Sequence, residues 1–309
     1  MSNSVEQLLG KRVLITGASG FLGFHLCDRL CKNGVEVHAI SRTHRTTDKD
    51  SLHWWQGNIE DIEVLQSLFQ AIKPDVVFHL SGMVTGAAGS ELVLPTFNSL
   101  LVSTVNLLTV AADQGCDRII LIASLEEPEP EHNEAIPSPY AAAKWASSVY
   151  GRMFHQLYQT PIVLVRPFMT YGPGQNVRKI IPSVTLSLLQ NEAPKLASGQ
   201  RQVDWIYIDD VIDGLIAAAQ MLNVEGCTFD LGSGILVSIR SVVQQLINLI
   251  NPQIQPLFGT LPDRPVEKVR VADISYTYDK LGWQPVVSLD TGLENTVNWY
   301  KQQLARSIH

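Results

Sequence analysis

The chain has 309 residues, of which 45% are hydrophobic, and this is enough for one large domain or two close-packed lobes. A net charge of -7 with no run rich in lysine and arginine argues against nucleic acid and anionic membranes as partners. The N-terminal segment lacks the apolar core of a secretory signal, and no apolar run approaches a membrane span, so a cytoplasmic protein is expected. Four cysteines in so long a chain predict neither a disulfide framework nor a metal site.

Apolar strand-like runs and helix-periodic segments alternate along the first half of the chain. The pattern predicts, in order, the strand RVLIT (12–16), a helix ending at Gly34, the strand VEVHAI (35–40), a helix before Pro74, the strand DVVFHL (75–80), a helix over 99–115, the strand RIILIAS (118–124), a helix from Tyr140 and the strand PIVLVRP (161–167). Such alternation predicts an α/β fold with a doubly wound parallel sheet. After Arg166 the helices shorten and the connections become proline-rich, which indicates a smaller second lobe.

The segment TGASGFLG joins the first strand to the first helix and places three glycines three residues apart. Gly17 allows a tight turn, Gly20 allows the backbone to approach a pyrophosphate, and Gly23 allows close packing of helix on strand. The N-terminus of the helix would face the phosphates with free N–H groups. A strand–helix turn without a ligand is the alternative.

This glycine spacing resembles that of the extended short-chain dehydrogenase/reductase family, which includes nucleotide-sugar epimerases, dehydratases and ketoreductases. NIED (58–61) and FHLSG (78–82) resemble the family's adenine-contacting and cofactor-lining segments. The resemblance implies a Rossmann sheet with a C-terminal substrate-binding lobe and a site in the crevice between them. It assigns these residues to the cofactor: Gly17, Ser19, Gly20, Phe21, Leu22, Gly23, Ser41, Arg42, Arg45, Asn58, Ile59, Leu80, Ser81, Gly82, Tyr140, Lys144, Pro167 and Met169.

The end of the second strand bears on which nicotinamide cofactor is bound. A carboxylate at this point would bind the ribose 2′-hydroxyl of NAD, but the sequence reads AISRTHR, with Ser41, Arg42 and Arg45. Arginine is suited to a 2′-phosphate, so NADP is expected rather than NAD. A solvated basic loop is the alternative.

The stretch from Ser124 to Lys144 predicts the catalytic groups. SPYAAAK resembles the family's S-P-Y-x-x-S-K, and Tyr140 and Lys144 share one helix face at i and i+4. The ammonium of Lys144 and the nicotinamide charge are expected to lower the pKa of Tyr140, making it an acid or base near neutral pH. Ser124 would bind the same substrate oxygen. Glu126 is a further candidate, either as a base or for binding a sugar hydroxyl, with a solvated acidic loop as the alternative.

Several positions depart from the family pattern. Leu125 replaces the Asp that protonates the leaving hydroxyl in 4,6-dehydratases. Leu100 stands at the position of an Asn on the family's helix, and the nearest Asn in this chain, Asn98, lies two residues earlier. In the second lobe, Met169 or Thr170 occupies the position of the family's substrate-binding Asn, and Val203 occupies a position where the family often has an Arg. The substrate is then expected to contact Thr85, Ser124, Thr170, Arg201 and Arg264, the last as a diphosphate clamp.

The predicted organisation is an NADP-binding Rossmann domain over 1–168, to which 203–230 returns, and a substrate-binding lobe over 169–309. The favoured activity is NADPH-dependent reduction of a nucleotide-linked 4-keto-6-deoxysugar. The alternatives are a nucleotide-sugar 4-epimerase with retained NAD(P), a dehydratase of the same family, and a non-catalytic NADP-sensing protein. Family members pair through the Tyr/Lys helix, so a homodimer is expected.

Overall fold

The computed structural model describes residues 5–128, 135–263 and 269–307. The strands in this part of the chain are β1 (Arg12–Thr16), β2 (Glu36–Ser41), β3 (Leu52–Gln56), β4 (Val76–His79), β5 (Arg118–Ile122), β6 (Ile162–Pro167), β7 (Met169–Tyr171), β8 (Lys195–Leu196), β9 (Gln202–Tyr207), β10 (Thr228–Leu231), β11 (Leu236–Ser238) and β12 (Leu257–Phe258). The α-helices are α1 (Phe21–Lys32), α2 (Ile62–Ile72), α3 (Val93–Thr96), α4 (Ser103–Gln114), α5 (Pro139–Tyr158), α6 (Ile180–Leu189), α7 (Ile208–Gln220), α8 (Ile239–Ile250), α9 (Ile274–Leu281) and α10 (Leu289–Ser307). A π-helical turn, Phe97–Val102, joins α3 to α4.

A seven-stranded sheet in the order β10-β6-β5-β4-β1-β2-β3 confirms the predicted doubly wound α/β fold. The strands from β6 across to β3 pair in parallel throughout. The chain winds outward from β1 in both directions, so the order reverses between β1 and β4. In open parallel sheets, ligands bind beyond the carboxyl ends of the strands at this reversal.

One face of this sheet forms a continuous apolar core with the helices α2, α4 and α5. Leu14, Val77 and Ile119 come from the strands, and Phe69 and Leu107 come from the helices, all 1% exposed or less. Burying one such side chain stabilises the fold by roughly 1.5–3 kcal/mol. The core therefore fixes the strand ends that carry the candidate site.

The helical stretch Ser90–Gln114 is long and apolar enough to cross a membrane by length and composition. Its residues Leu107, Leu108 and Ala111 nevertheless pack into the apolar core beside α2 and α5. We therefore describe it as a core helix of the sheet.

The edge strand β3 was not predicted from the sequence. It pairs in parallel with β2, from Val37 opposite Leu52 to Ser41 opposite Gln56. Its five residues, LHWWQ, are half-buried or exposed rather than apolar throughout. An edge strand packs less completely than a central one, so its sequence carries a weaker hydrophobic signal.

The chain divides into two compact units. The first comprises residues 1–167, 212–230 and 275–283, and the second 168–211, 231–274 and 284–309. Within the second, β9 pairs in parallel with β7 and antiparallel with β11. The chain therefore rejoins the first unit at Ile212, after β9, rather than at residue 203.

The carboxylate of Asp204 organises the second unit. It is buried and accepts hydrogen bonds from the backbone N–H groups of Ser233, Gly234 and Ala272 at 2.6–3.0 Å, and from the Ser233 hydroxyl. One side chain thus joins β9 to two other segments of this unit. Charge-assisted bonds of this kind are about twice as strong as neutral ones.

Candidate active site

The loops after β1, β2, β4 and β5 lie along one edge of the sheet because those strands are parallel. This edge carries the glycine loop, Ser41, the segment 80–82 and Ser124. The predicted cofactor and catalytic residues of the first unit are therefore brought together by topology rather than by closeness in sequence.

The glycine loop after β1 has the backbone shape that its spacing predicted. Gly17 has φ +68°, and a Cβ there would lie 2.7 Å from the carbonyl of Leu80. A Cβ on Gly23 would overlap the Gly17 carbonyl oxygen and come within 2.6 Å of the Ala18 Cα. Both glycines are thus required by close backbone approach.

The N-terminus of α1 is open to an anion. The helix begins after Gly20, which has no side chain to cap the first N–H groups. Ser19 and Gly20 are exposed, and Phe21 and Leu22 are half-buried. Uncapped N–H groups at a glycine-bordered helix start fit the diphosphate of a dinucleotide.

The end of β2 places a basic side chain beside a buried hydroxyl. The Arg45 Nε lies 3.4 Å from the Ser41 Oγ, and its guanidinium lies 5.4 Å from the ring centroid of Trp54 on β3. Arg42 is exposed, and its carbonyl accepts a hydrogen bond from Gln56. Trp54 was not predicted, because β3 itself was not.

The other predicted cofactor residues of this unit differ in what they can offer. Asn58 is exposed, and its side-chain oxygen Oδ1 accepts a hydrogen bond from the Glu60 N–H at 3.3 Å. The side chain of Ile59 lies in the apolar core, so this residue can present only its backbone to a ligand. Leu80, Ser81 and Gly82 are half-buried after β4.

A buried histidine that the sequence analysis did not single out holds this edge together. His79 Nδ1 lies 2.8 Å from Thr16 Oγ1 on β1, and its Nε2 lies 3.0 Å from Thr104 Oγ1 on α4. Thr16 Oγ1 in turn accepts from Ser81 N–H. Burial, with a smaller contribution from the charge of Lys144, lowers the pKa of His79 to about 3. His79 is therefore neutral and positions the loops after β1 and β4.

Tyr140 and Lys144 lie on the first two turns of α5. Ser138 caps this helix by accepting from Ala141 N–H at 3.1 Å, and Pro139 occupies its first position. The Tyr140 hydroxyl is hydrogen-bonded to the Ser124 side chain. Lys144 Nζ donates to the Ile122 carbonyl of β5 at 2.9 Å. The predicted Ser, Tyr and Lys thus form one buried cluster at the end of β5.

The protein alone does not lower the pKa of Tyr140; the sequence-based prediction counted the nicotinamide charge together with that of Lys144. Burial raises it to about 12, outweighing the Ser124 hydrogen bond, and the charges of Glu126 and Glu127 raise it further. Burial also lowers the pKa of Lys144 to about 8. The sequence showed the i, i+4 pair but not that both groups are under 10% exposed. An additional positive charge is needed to make Tyr140 acidic.

The two neighbouring glutamates after Ser124 have different environments. Glu126 is half-buried, its N–H donates to Ser124 Oγ at 3.2 Å, and its carboxylate has a long 3.5 Å contact from Ser138 Oγ. Glu127, the next residue of the same acidic stretch, is buried and therefore does not belong to a solvated loop. Residues 129–134, the rest of that loop, lie outside the described part of the chain.

Leu100 occupies a buried position next to the cluster. It packs with Tyr140 and Ala143, and a Cβ on Gly82 would overlap its side chain. Its carbonyl, in the π-helical turn, accepts from Ser147 Oγ at 3.1 Å. Asn98, two residues earlier in the same turn, is exposed.

The remaining predicted cofactor and substrate contacts are spread over both units. Thr85 is half-buried in the first unit, where its hydroxyl accepts from Ala87 N–H, and Pro167 ends β6. Met169, Thr170 and Arg201 are half-buried in the second unit. Arg264 lies outside the described residues. Val203 is buried, so it offers no polar contact there.

The sequence and fold were compared with those of known proteins. Residues 13–232 match the family model of the NAD dependent epimerase/dehydratase family. UDP-glucuronate 4-epimerase of Thermodesulfobacterium geofontis is 28% identical, over 96% of this chain and 98% of that protein. The dTDP-D-glucose 4,6-dehydratase of Mus musculus is 25% identical, over 94% and 89% of the two chains.

A solved structure agrees over the same length. The UDP-glucuronic acid 4-epimerase of Bacillus cereus, in complex with UDP-glucuronic acid and NAD, superposes with a TM-score of 0.84 at 27% identity, covering 94% of this chain and 99% of that one. The family match, over residues 13–232, includes the glycine loop and the Ser124–Tyr140–Lys144 cluster. The chain is therefore an enzyme of the extended short-chain dehydrogenase/reductase type and belongs to the NAD dependent epimerase/dehydratase family.

Proposed function

We propose that this protein is a nucleotide-sugar 4-epimerase that retains its nicotinamide cofactor. The observation that carries the proposal is the buried Ser124–Tyr140–Lys144 cluster beside the glycine loop. The sequence alone favoured a 4-ketoreductase, which would use the same three residues. The 4-epimerases among the relatives move the preference to epimerisation.

In this mechanism Tyr140 handles the proton of the sugar 4-hydroxyl. Its phenolate form removes that proton while the hydrogen on C4 of the sugar leaves as hydride. Its phenol form returns the proton when the hydride comes back on the other face of the sugar. Ser124 hydrogen-bonds the same oxygen and holds it beside Tyr140. A bound nicotinamide would supply the acceptor for the hydride from the sugar C4, and the positive charge that favours the phenolate of Tyr140. Lys144 adds its ammonium charge close by.

Dehydration is disfavoured by the residue after Ser124. A 4,6-dehydratase needs an acid at this position to protonate the leaving 6-hydroxyl, and Leu125 has no proton to give. Glu126 is adjacent and ionisable, but its N–H donates a hydrogen bond to Ser124 Oγ, which folds its backbone back toward Ser124. We therefore place Glu126 near the substrate hydroxyls rather than at the leaving group.

The test is to incubate the purified protein with UDP-glucuronic acid and with UDP-glucose, and to separate the products by anion-exchange chromatography. An epimerase yields the C4 epimer without added cofactor and without net change in nicotinamide absorbance. If NADPH is instead consumed in proportion to a reduced dTDP-4-keto-6-deoxyglucose, and no epimer appears, the protein is the 4-ketoreductase.

For the cofactor we infer NADP, because the end of β2 lacks a carboxylate. Ser41 and Arg45 are already in contact there, and Arg42 is exposed next to them.

Mass spectrometry of the nucleotide released by denaturation identifies the form of the cofactor that the protein retains. Arg42→Ala with Arg45→Ala should lower NADP affinity at least about tenfold and leave NAD affinity unchanged. Exposed Arg306→Ala is the matched control. Retained NAD in the wild-type protein would contradict this inference.

We also infer a homodimer that pairs through α5. Exposed apolar side chains lie on α3 and the π-helical turn (Leu94, Phe97) and on α5 (Trp145, Val149), and α3 and α5 pack together. Such a contiguous apolar face is typical of an interface. Light scattering should give twice the chain mass, and Trp145→Glu with Val149→Glu should give a monomer. Leu222→Glu, at another exposed leucine, should remain dimeric.

A further inference from the structure

Glu127 is a buried carboxylate that the proposed mechanism does not use. It follows Ser124 by three residues in the turn after β5, and it is 3% exposed. Taking a carboxylate out of water is costly unless it is hydrogen-bonded and paired with positive charge. Its position therefore requires compensating contacts.

The contacts of Glu127 join the turn after β5 to the catalytic helix. Its Oε1 accepts from the Ser124 N–H at 2.7 Å and from the Ser148 hydroxyl at 2.9 Å. Its own N–H donates to the Ser124 carbonyl at 3.2 Å. Ser148 lies one helical turn after Lys144 on α5. One oxygen thus fixes the backbone of Ser124 relative to the helix that carries Tyr140 and Lys144.

The titratable groups near Glu127 come from three elements, α5, β6 and β4. Lys144 and the neutral Tyr140 face it from α5, Arg166 comes from β6, and neutral His79 from β4 lies near Lys144. Arg166 is paired with Asp230 at 2.9 Å. The pKa of Glu127 is raised, because burial outweighs the opposing effects of the Ser124 N–H, Arg166, Ser148 and Lys144. Burial lowers the pKa of Lys144 to about 8, and Glu127 opposes that effect.

We propose that Glu127 is a positioning residue of the active site, whose carboxylate fixes Ser124 beside Tyr140 and supplies the counter-charge of Lys144. The inference rests on the proposed function, because it takes Ser124, Tyr140 and Lys144 as the reacting set. Glu127 acts through those residues. Replacing it by glutamine keeps an acceptor oxygen but removes the charge, so the two roles separate.

The experiment titrates Lys144 directly in the full-length protein. Lysine-selective ¹³C labelling and NMR from pH 6 to 10 follow each side chain, and Lys144→Arg assigns the signal. In Glu127→Gln the midpoint of Lys144 should fall by about one pH unit. The kcat for epimerisation should fall at least about tenfold, with its pH profile displaced and KM little changed.

Two further variants separate charge from geometry. Ser148→Ala keeps the charge and removes one hydrogen bond, so the Lys144 midpoint should stay near that of the wild type. Glu127→Asp keeps the charge on a shorter side chain, so kcat should fall while the midpoint is retained. If Glu127→Gln does not fold, the aspartate variant decides, since an unchanged kcat there would overturn the positioning role.

The outcomes distinguish this inference from the proposed function. A folded Glu127→Gln protein with the wild-type Lys144 midpoint and wild-type kcat profile rejects the inference. A wild-type protein that epimerises no nucleotide sugar rejects the proposed function instead. The NMR titration still reports whether Glu127 sets the charge of Lys144 in that case.

Discussion

The glycine loop after β1 and the turn after β5 lie at the same edge of one sheet but carry chemistry by different means. The loop presents backbone N–H groups, and its requirements are steric, as at Gly17 and Gly23. The turn and the helix α5 beside it present side chains, and their requirements are burial and charge, as at Ser124, Glu127 and Lys144. A backbone site is visible in glycine spacing, whereas a side-chain site depends on what packs around it.

The largest expected effect removes the proposed reacting side chain beside the turn, that of Tyr140 on α5. Tyr140→Phe deletes the hydroxyl that is bonded to Ser124, and kcat should fall about 10²- to 10⁴-fold because proton transfer is lost. Cofactor retention should be unchanged. Tyr158→Phe, an exposed tyrosine of the same helix, should have wild-type kcat. Comparable kcat values for the two variants would remove Tyr140 from the mechanism.

The next effect breaks the backbone site. In Gly17→Ala the new Cβ meets the Leu80 carbonyl at φ +68°, so the free energy of unfolding should fall by at least about 2 kcal/mol and cofactor should be lost. Gly282→Ala is the matched control, because Gly282 has φ +64° but nothing within 4 Å. It should cost about 1 kcal/mol. Urea unfolding measures the free energy of unfolding of both variants. Equal losses would mean that backbone strain, and not the close approach of the Leu80 carbonyl, causes the destabilisation.

A smaller effect tests His79, which joins the end of β1 to α4 beside the glycine loop. The unfolded chain binds a proton at His79 below about pH 6.5, whereas the folded protein binds it only near pH 3. The folded state therefore holds fewer protons in this window, and stability falls as pH decreases, by up to about 1.4 kcal/mol per pH unit. His79→Gln should flatten this dependence in urea unfolding between pH 6 and 4. An unchanged slope would show that other groups cause it.

The smallest effect concerns the cofactor loop alone. Trp54→Ala removes the ring beneath Arg45, so NADP should bind roughly two- to fivefold more weakly while NAD binding is unaffected. Fluorescence titration with both nucleotides measures the difference. An equal loss for NAD would mean that Trp54 supports the loop rather than the 2′-phosphate side.

Much of the fold was predictable because the central strands are apolar throughout and the helices between them are periodic. The strand β3 was not, since its half-exposed His and Trp residues do not form a buried run. Tyr140 and Lys144 were identifiable as candidates from their spacing, but the raised pKa of Tyr140 in the protein alone was not, because it follows from burial. Arg264 remains a prediction from sequence resemblance.

The sequence by itself determined the parallel sheet, the glycine turn and the placing of Ser124, Tyr140 and Lys144 at one edge, because strand alternation and residue spacing are local properties. The tertiary structure alone decided which of two adjacent glutamates is buried. Glu126 and Glu127 are chemically identical, and only the packing of α5 on β5 gives Glu127 the Ser148 hydroxyl and the Lys144 charge. Desolvation depends on that packing, and no local pattern of residues specifies it.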